Sequence, residues 1–236
     1  EATDWYLRLI REYPASTLVR KAYFDKAQAE VASQFYERAI NSYLEFTKRF
    51  PDHPRIDLIT FLIGDMHFRL GQYMEAIGYW EDLRSKFPLS DYRYKALNEI
   101  GKTYLRIAET PSYFEILREE HDVAGTDEEI KKGLELKAKE TFIQIIENKA
   151  LEGSEEYFNA GKELAGFYYN EESYDKALKL IDSLIALYSS HPDLYVLLNL
   201  KASIFFELNL TEETIAAYED LISLLTFRIS EQGEEM

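Results

Sequence analysis

The sequence lacks cysteine and is poor in the residues that make turns. The absence of cysteine in 236 residues excludes disulfides, thiol catalysis and cysteine-ligated zinc or iron–sulfur sites. The chain has only 10 glycines and 6 prolines. Because hairpins and strand–helix junctions consume turn residues, this shortage predicts an all-α fold of long helices joined by short corners.

The sequence also has little positive charge and no long apolar run. It carries 43 acidic against 27 basic side chains, a formal net charge of −16. Since binding to phosphates depends on Lys and Arg that release counterions, we expect no nucleic-acid partner, and anionic membrane surfaces are disfavoured for the same reason. No apolar run approaches the roughly 20 residues of a membrane span. The chain begins at Glu1 without a signal-peptide pattern, so we expect it to be a piece of a longer protein.

A repeat of 37 residues organises the sequence. Three segments with a similar ending are spaced by 37 positions: Tyr13-Pro14-Ala15-Ser16, Phe50-Pro51-Asp52-His53 and Phe87-Pro88-Leu89-Ser90. The same step leads from Ala27 to Gly64 and then to Gly101. Downstream the phase is lost and regained, since Ala165 and Ala202 are again 37 apart. Such a period predicts an array of similar supersecondary units.

Each unit is predicted to be a pair of antiparallel helices. A small residue is followed by another 12 positions later, as in Ala27 and Ala39, which lets two helices approach closely. The predicted pairs are 17–32 with 34–50, 54–70 with 72–87, 91–107 with about 128–150, 155–169 with 173–189, and 193–208 with 211–227. Gly71 and Asn209 are expected to end first helices in a left-handed conformation. Thr126 with Glu129 predicts a capping box before the long helix.

The third unit is interrupted by an insertion. After Gly101 the next small residue in phase is Ala138, which implies about 25 extra residues between the two helices of this unit. We therefore predict that residues 1–16 are the second helix of a truncated leading repeat. Residues 17–228 are predicted to be five repeats with an insertion at about 108–133, and residues 229–236 an acidic tail.

The second unit resembles the tetratricopeptide repeat (TPR). It has the family's order of small, aromatic, Gly, Tyr, Ala, aromatic, Leu and Pro residues at Gly64, Phe68, Gly71, Tyr73, Ala76, Trp80, Leu83 and Pro88. The resemblance implies a right-handed α-solenoid whose first helices line a concave groove. The corner sequences are similar to those of a subclass found in bacterial envelope proteins, such as the outer-membrane assembly lipoprotein BamD and the cell-division coordinator CpoB.

The resemblance also implies which side chains face the groove. These first-helix positions are Phe24, Gln28, Val31, Phe61, Asp65, Phe68, Asn98, Lys102, Leu105, Lys162, Gly166, Tyr169, Asn199, Ser203 and Phe206. Aromatic, amide and lysine side chains together suit an extended peptide or a partner helix. For the aromatic members the alternative is packing between helices, since aromatic stripes at helical spacing are usually core.

The insertion adds four apolar side chains outside the repeat frame. A short helix starting at Thr110-Pro111 is predicted to carry Tyr113, Phe114, Ile116 and Leu117. Two alternatives are open for these side chains. They either pack on the groove as a plug or present a surface to a partner.

Residues capable of catalysis or metal binding have ordinary explanations in this sequence. His53 and His191 precede prolines at corners, and His67 replaces an aromatic residue on a packed helix face. The acidic run 119–122 is predicted to be a solvated loop, because adjacent residues on a helix point to different faces. The sequence has no Gly-rich phosphate loop, no G-x-S-x-G and no H-E-x-x-H. We expect no enzyme activity, no cofactor and no metal site.

These observations predict a non-enzymatic scaffold for protein–protein interaction in the bacterial cell envelope. Its role would be outer-membrane protein assembly or envelope coordination, in the periplasm, with a lipid anchor upstream of Glu1 holding it at the outer membrane. Two alternatives stay open. One is a cytoplasmic TPR adaptor or co-chaperone that binds client peptides. The other is a small-ligand-binding protein whose site lies under the insertion, near Tyr113, Glu119 or His121.

Overall fold

Apolar side chains recur three and four positions apart along the chain, and the computed structural model of the protein has helices at these places. It describes residues 2–234, with the side chains of residues 4–226. Within this range there are twelve α-helices, a 3-10 turn at Lys149–Leu151 and no strand. The helices are α1 (Ala2–Glu12), α2 (Val19–Ala32), α3 (Tyr36–Arg49), α4 (Ile56–Arg69), α5 (Tyr73–Lys86), α6 (Arg93–Ala108), α7 (Tyr113–Glu120), α8 (Asp127–Glu147), α9 (Glu155–Asn170), α10 (Tyr174–Leu187), α11 (Leu194–Glu207) and α12 (Thr211–Glu234). The predicted all-α fold is confirmed.

The predicted helix pairs agree with the observed helices except at the end of the chain. The last helix continues to Glu234, beyond its predicted end at 227, so the predicted tail of 229–236 starts inside a helix. No proline interrupts the sequence from Thr211 onwards, and its first glycine is Gly233. Residues 235 and 236 lie outside the described residues. The assignment of the chain to a truncated leading repeat and five repeats stays a prediction.

The chain divides into two units, residues 1–138 and 139–236, with the boundary inside α8. In the first unit each helix from α1 to α6 packs against the next one. In the second unit the same holds from α9 to α12. Each unit is thus a stack of helices in which neighbours along the chain bury one another's apolar faces.

Close contact between the paired helices depends on small residues, as predicted. Ala27 and Ala39 are completely buried between α2 and α3. In the next repeat Gly64 takes the place of Ala27, and a Cβ there would lie 2.5 Å from the indole Nε1 of Trp80. That nitrogen donates a hydrogen bond to the Phe61 carbonyl at 3.1 Å. The larger aromatic ring is therefore accommodated by removing the methyl group opposite it.

The corners between repeats share one hydrogen-bonding pattern. The fourth residue of each corner sequence accepts a hydrogen bond on its side chain from the backbone N–H two residues later. This donor–acceptor pair is Leu18 N with Ser16 Oγ, Arg55 N with His53 Nδ1, Tyr92 N with Ser90 Oγ, and Asp193 N with His191 Nδ1. Ser and His recur at this position because each offers an acceptor to a backbone donor just before the next helix.

Most local signals in the sequence correspond to observed backbone features. The capping box is confirmed: Thr126 N donates to a Glu129 carboxylate oxygen at 2.8 Å, and Glu129 N donates to Thr126 Oγ1 at 3.3 Å. Gly71 and Asn209 have φ of 75° and 57°, as expected for left-handed helix ends. Gln34 and Glu172 have the same conformation at the ends of α2 and α9. Those two were missed, because neither is a residue that favours positive φ.

Candidate functional site

The predicted groove positions of the first unit form two rows along α2, α4 and α6. The inner row is Phe24, Phe61 and Asn98, and the outer row is Gln28, Asp65 and Lys102. Successive members of each row are 37 residues apart. All three inner residues are buried, whereas the outer ones are exposed or half-exposed.

The inner row belongs to the core. Phe61 is 7% exposed and stacks on Tyr92 with ring centroids 5.7 Å apart. Phe24 is 8% exposed and meets Tyr43 and Phe46 edge to face at 6.0 Å. The prediction that these two rings lie open to a partner is therefore wrong. The alternative, packing between helices, is confirmed for them.

Cations cover the same two rings. The guanidinium of Arg55 lies 5.6 Å from the Phe24 centroid, and the ammonium of Lys95 lies 5.2 Å from the Phe61 centroid. A cation over an aromatic face is attracted by the ring quadrupole, so these contacts stabilise the closed arrangement. Asn98, 3% exposed, replaces the ring in the third repeat, and its Oδ1 has no hydrogen-bond partner in the part of the chain described.

The outer row presents polar groups of three kinds. Gln28 is exposed. The Asp65 carboxylate pairs with Arg69 at 2.9 Å, and the Lys102 ammonium pairs with Glu99 at 3.3 Å. Both pairs lie within one helix and are partly exposed, so they are weak and can be exchanged for contacts with a partner. Beside them, Phe68 is half-buried against Tyr73 and Trp80.

In the second unit the predicted positions have mixed surroundings. The Lys162 ammonium forms an ion pair with the Asp193 carboxylate at 2.8 Å. Tyr169 packs on Tyr174, with centroids 5.9 Å apart. Asn199 is exposed, and Phe206 is 68% exposed at the end of α11. A binding role for these residues stays a prediction.

The insertion packs into the core of the first unit. Tyr113, Phe114 and Leu117 are buried, so the hypothesis that they present a surface to a partner is wrong, and the packing alternative holds. Ile116 is exposed. The three buried side chains form the apolar face of α7, and this face completes the cluster formed by α4, α5, α6 and the start of α8.

Tyr113 has a second role that the sequence did not reveal. Its hydroxyl oxygen accepts hydrogen bonds from the backbone N–H groups of Tyr73 at 3.1 Å and Met74 at 3.3 Å. These are free donors at the start of α5, and the preceding Gln72 does not cap them with its side chain. Burial raises the pKa of the Tyr113 hydroxyl, which is therefore neutral at physiological pH. The insertion thus caps a helix 40 residues away in the sequence.

A charged group is buried in the first repeat, where Glu30 stands in place of the family's aromatic residue. Ser42 donates to the Glu30 carboxylate at 2.5 Å, and the Lys26 ammonium donates to Ser42 at 2.6 Å and lies 3.4 Å from Glu30. Burial and the nearby Glu30 charge raise the pKa of Tyr43 to about 12. Because the three polar groups satisfy one another, this cluster joins α2 to α3 and is not a site for a ligand.

The histidines have packing roles. His191 stacks on Phe158 at 3.6 Å, and its Nε2 lies 3.1 Å from Glu155. His67 stacks on Tyr79 at 5.0 Å. Burial, together with Arg20 and Arg55, lowers the pKa of His53, which is neutral at pH 7. No group of three or more His, Asp or Glu side chains is arranged to hold a metal ion within the described range.

The three side chains named for a small ligand under the insertion do not come together as a polar site. The Tyr113 hydroxyl is already hydrogen-bonded to the start of α5, and Glu119 is exposed. His121 is partly buried, and its Nε2 has no hydrogen-bond partner among the described residues. None of the helices in the described range has the length and apolar character needed to cross a membrane.

Comparison with known proteins agrees with the geometry. Residues 24–85 match the sequence profile described as "Tetratricopeptide repeat". No curated protein matches the sequence. Among solved structures, BtubC (BKLC) from P. vanneervenii is 16% identical, with a TM-score of 0.58 over 98% of this chain and 89% of that one.

Two further structures carry the same repeat in their names. A Podosopora anserina putative kinesin light chain with nearly identical TPR-like repeats is 14% identical, with a TM-score of 0.55 over 88% of this chain and 95% of that one. A thermophilic TPR protein in Thermus thermophilus is 14% identical, with a TM-score of 0.50 over 91% of this chain and 97% of that one. At such identities the likeness concerns the fold alone. Residues 24–85 thus match the tetratricopeptide repeat, and the chain shares the α-solenoid fold of these structures.

Proposed function

We propose that the chain is a non-enzymatic scaffold that holds protein partners on one face of its first unit. This face is formed by α2, α4 and α6, the first helices of the three helix pairs. The observation that carries the proposal is the outer row of Gln28, Asp65 and Lys102. It repeats every 37 residues on α2, α4 and α6, outside a core that is already complete. An amide, a carboxylate and an ammonium at regular intervals can bond the backbone and side chains of an extended segment or a helix.

Two features of the row suit exchange with a partner. Gln28 is exposed, and the ion pairs of Asp65 and Lys102 each join residues three or four positions apart on one helix. Exposed pairs of this kind contribute little to stability, so a partner replaces them at small cost. The buried inner row keeps the helices fixed while the outer row changes its contacts.

We place this scaffold in the bacterial cell envelope, in the periplasm at the outer membrane, in outer-membrane protein assembly or envelope coordination. The support is the corner sequence, which is similar to that of the envelope subclass of TPR proteins. The corners at Ser16, His53 and Ser90 have equivalent hydrogen bonds, so this corner sequence forms the same local structure each time it occurs in the first unit. The proposal includes a lipid anchor upstream of Glu1.

The test is fractionation of native cells followed by purification of the tagged protein after chemical crosslinking. We expect the protein in the envelope fraction and one or a few defined proteins crosslinked to it. Gln28→Ala with Asp65→Ala and Lys102→Ala should reduce their recovery without changing the melting midpoint. Glu37→Ala with Lys132→Ala, two exposed sites away from the row, is the control. Recovery from the cytosol would favour the adaptor alternative, and the absence of any defined partner would contradict the scaffold.

A further inference from the structure

The corners of the first unit carry a concentration of positive charge. We define the corner edge as residues 9–22, 46–59 and 83–96, where one helix pair ends and the next begins. It has ten basic residues, Arg11, Arg20, Lys21, Lys48, Arg49, Arg55, Arg84, Lys86, Arg93 and Lys95. It has four acidic ones, Glu12, Asp52, Asp57 and Asp91. This excess stands out in a chain whose net charge is −16.

The three corners lie at the same end of the stacked helices. Successive helices run antiparallel, so every second helix ends, and every first helix begins, on this side of the unit. Contacts join the corners directly: Arg20 lies 5.5 Å from the Phe50 ring, and Ser90 donates to Asp57 at 2.6 Å. Arg11, Arg84 and Lys86 pair with carboxylates of their own helices. The remaining positive charges form one surface.

Five of the basic side chains are supported by aromatic rings. The distances from the charged group to the ring centroid are 5.5 Å for Arg20 over Phe50, 5.4 Å for Arg49 over Tyr23, 5.6 Å for Arg55 over Phe24, 4.7 Å for Arg93 over Tyr94 and 5.2 Å for Lys95 over Phe61. No described carboxylate lies within 4.0 Å of any of these five charges. In the second unit, by contrast, Lys139, Lys162 and Lys201 each pair with a carboxylate distant in sequence.

This arrangement prepares the cations for an external carboxylate. The ring holds one face of each charged group in place, which lowers the entropy lost when the other face binds. Arg55 and Lys95 are exposed, and Arg93 also donates to the Pro88 carbonyl at 3.2 Å. A guanidinium fixed in this way can donate two parallel hydrogen bonds to a carboxylate.

A cleft of about 390 Å³ opens between the second and third corners. Its apolar lining includes Ile56, Phe87, Pro88 and Leu89, and the hydrogen-bonded pair of Asp57 and Ser90 supplies its polar part. Leu89 is 96% exposed at the rim. Arg55 adjoins the cleft in sequence, and Arg93 is bonded to one of its lining residues, so cations flank an apolar opening.

We propose that the corner edge of the first unit is a second interaction surface, which binds an acidic protein segment with an apolar anchor residue. Carboxylates of the segment pair with Arg55, Arg93 and Lys95, and the anchor side chain enters the cleft beside Leu89. At physiological salt, charges more than about 8 Å away are largely screened, so a short acidic segment experiences mainly the positive charges of the corner edge. A long nucleic acid would also be repelled by the acidic remainder of the chain. This surface is separate from the outer row of the proposed scaffold function.

The test is the binding of a labelled peptide to the whole chain, followed by fluorescence anisotropy. The probe has about twelve residues, with Asp and Glu on both sides of a Leu-Phe pair, and a second peptide has Asn and Gln in place of the acids. We expect the acidic peptide alone to bind, and its affinity to fall as salt rises from ~50 to ~200 mM. Arg55→Gln with Lys95→Gln should weaken binding by about tenfold.

The control is Lys132→Gln with Lys179→Gln, which removes the same charge from exposed sites outside the corner edge and should leave binding unchanged. Leu89→Asp is a second test, because so exposed a side chain contributes little to folding, and it should also weaken binding. Equal binding of both peptides, equal loss in the control, or no binding of the acidic peptide would overturn the proposal. Stronger corner-dependent binding of phosphatidylserine vesicles or duplex DNA than of the peptide would also overturn it.

Discussion

At the scale of single residues, the pair of Gly64 and Trp80 explains how the second repeat departs from the first. Trp80 stands where the first repeat has Tyr43, and Gly64 stands where it has Ala27. The indole occupies the space of the missing methyl group and bonds a helix carbonyl. The two substitutions belong together, since either one alone would leave a clash or a void.

Gly64→Ala should therefore destabilise the protein although alanine favours helices. The new methyl group would lie 2.5 Å from the indole nitrogen, and overpacking of this kind costs about 1–3 kcal/mol. Gly78→Ala is the matched control, because Gly78 is an exposed helix glycine with no atom within 4 Å of its Cβ position. It should stabilise by roughly 0.5–1 kcal/mol. Urea unfolding measures both, and an unchanged midpoint for Gly64→Ala would refute the packing argument.

Phe61 and Phe68 should differ sharply although the family pattern places both at groove positions. Phe61 is buried against Trp80 and Tyr92, so Phe61→Ala should cost about 3–5 kcal/mol. Phe68 is only half-buried, and its replacement by Ala should cost clearly less. Thermal and urea unfolding of the two variants give the comparison. Equal small losses would mean that the Phe61 ring is open to solvent after all.

At the scale of helices, some helix ends are stabilised by side chains of the same turn, and others by side chains distant in the sequence. The start of α8 is stabilised by Thr126 and Glu129 within one turn, and this capping box is legible in the sequence. The start of α5 is capped by the Tyr113 hydroxyl, 40 residues away. No local sequence pattern predicts that contact, because it depends on where the insertion packs against the other helices.

Thr126→Ala should destabilise α8 by about 1 kcal/mol through loss of its N-cap hydrogen bond.

Hydrogen bonds from the Thr126 backbone and side chain lower the pKa of Glu129. A carboxyl with a lowered folded-state pKa stabilises above its unfolded pKa of about 4.3, and this contribution disappears as pH falls through the folded value. The stability difference between wild type and Glu129→Ala should thus shrink at acid pH in urea titrations, and a constant difference would contradict the capping role.

The sequence predicts the helices well and the site less well, for physical reasons. Helix periodicity, the prolines of the corners and the small residues at helix contacts are local or strictly periodic signals, so the helix bounds follow from them. The exposure of Phe24 or Phe61 is different. It depends on Arg55, Lys95 and Tyr92, which belong to the following repeat and cover these rings only once the helices have stacked.

At the scale of the whole molecule, the two units differ in how they use charge. Five basic side chains at the corners of the first unit lie over aromatic rings with no described carboxylate within 4.0 Å. Lys162 and Lys201 of the second unit also lie over rings, but each pairs with a carboxylate distant in sequence. The first unit therefore keeps positive charge available at its corners, on a chain that is acidic as a whole. Together with the outer row, this gives the first unit two surfaces suited to different partners.

The most direct test of the scaffold is site-specific photo-crosslinking in native cells. A photoreactive phenylalanine analogue is placed singly at Gln28, Asp65 or Lys102 of the outer row, and at the exposed second-helix positions Glu37 and Asp82 as controls. We expect the same discrete adducts from all three outer-row positions and none from the controls. Adducts of equal yield from every position, or from none, would contradict the proposed scaffold.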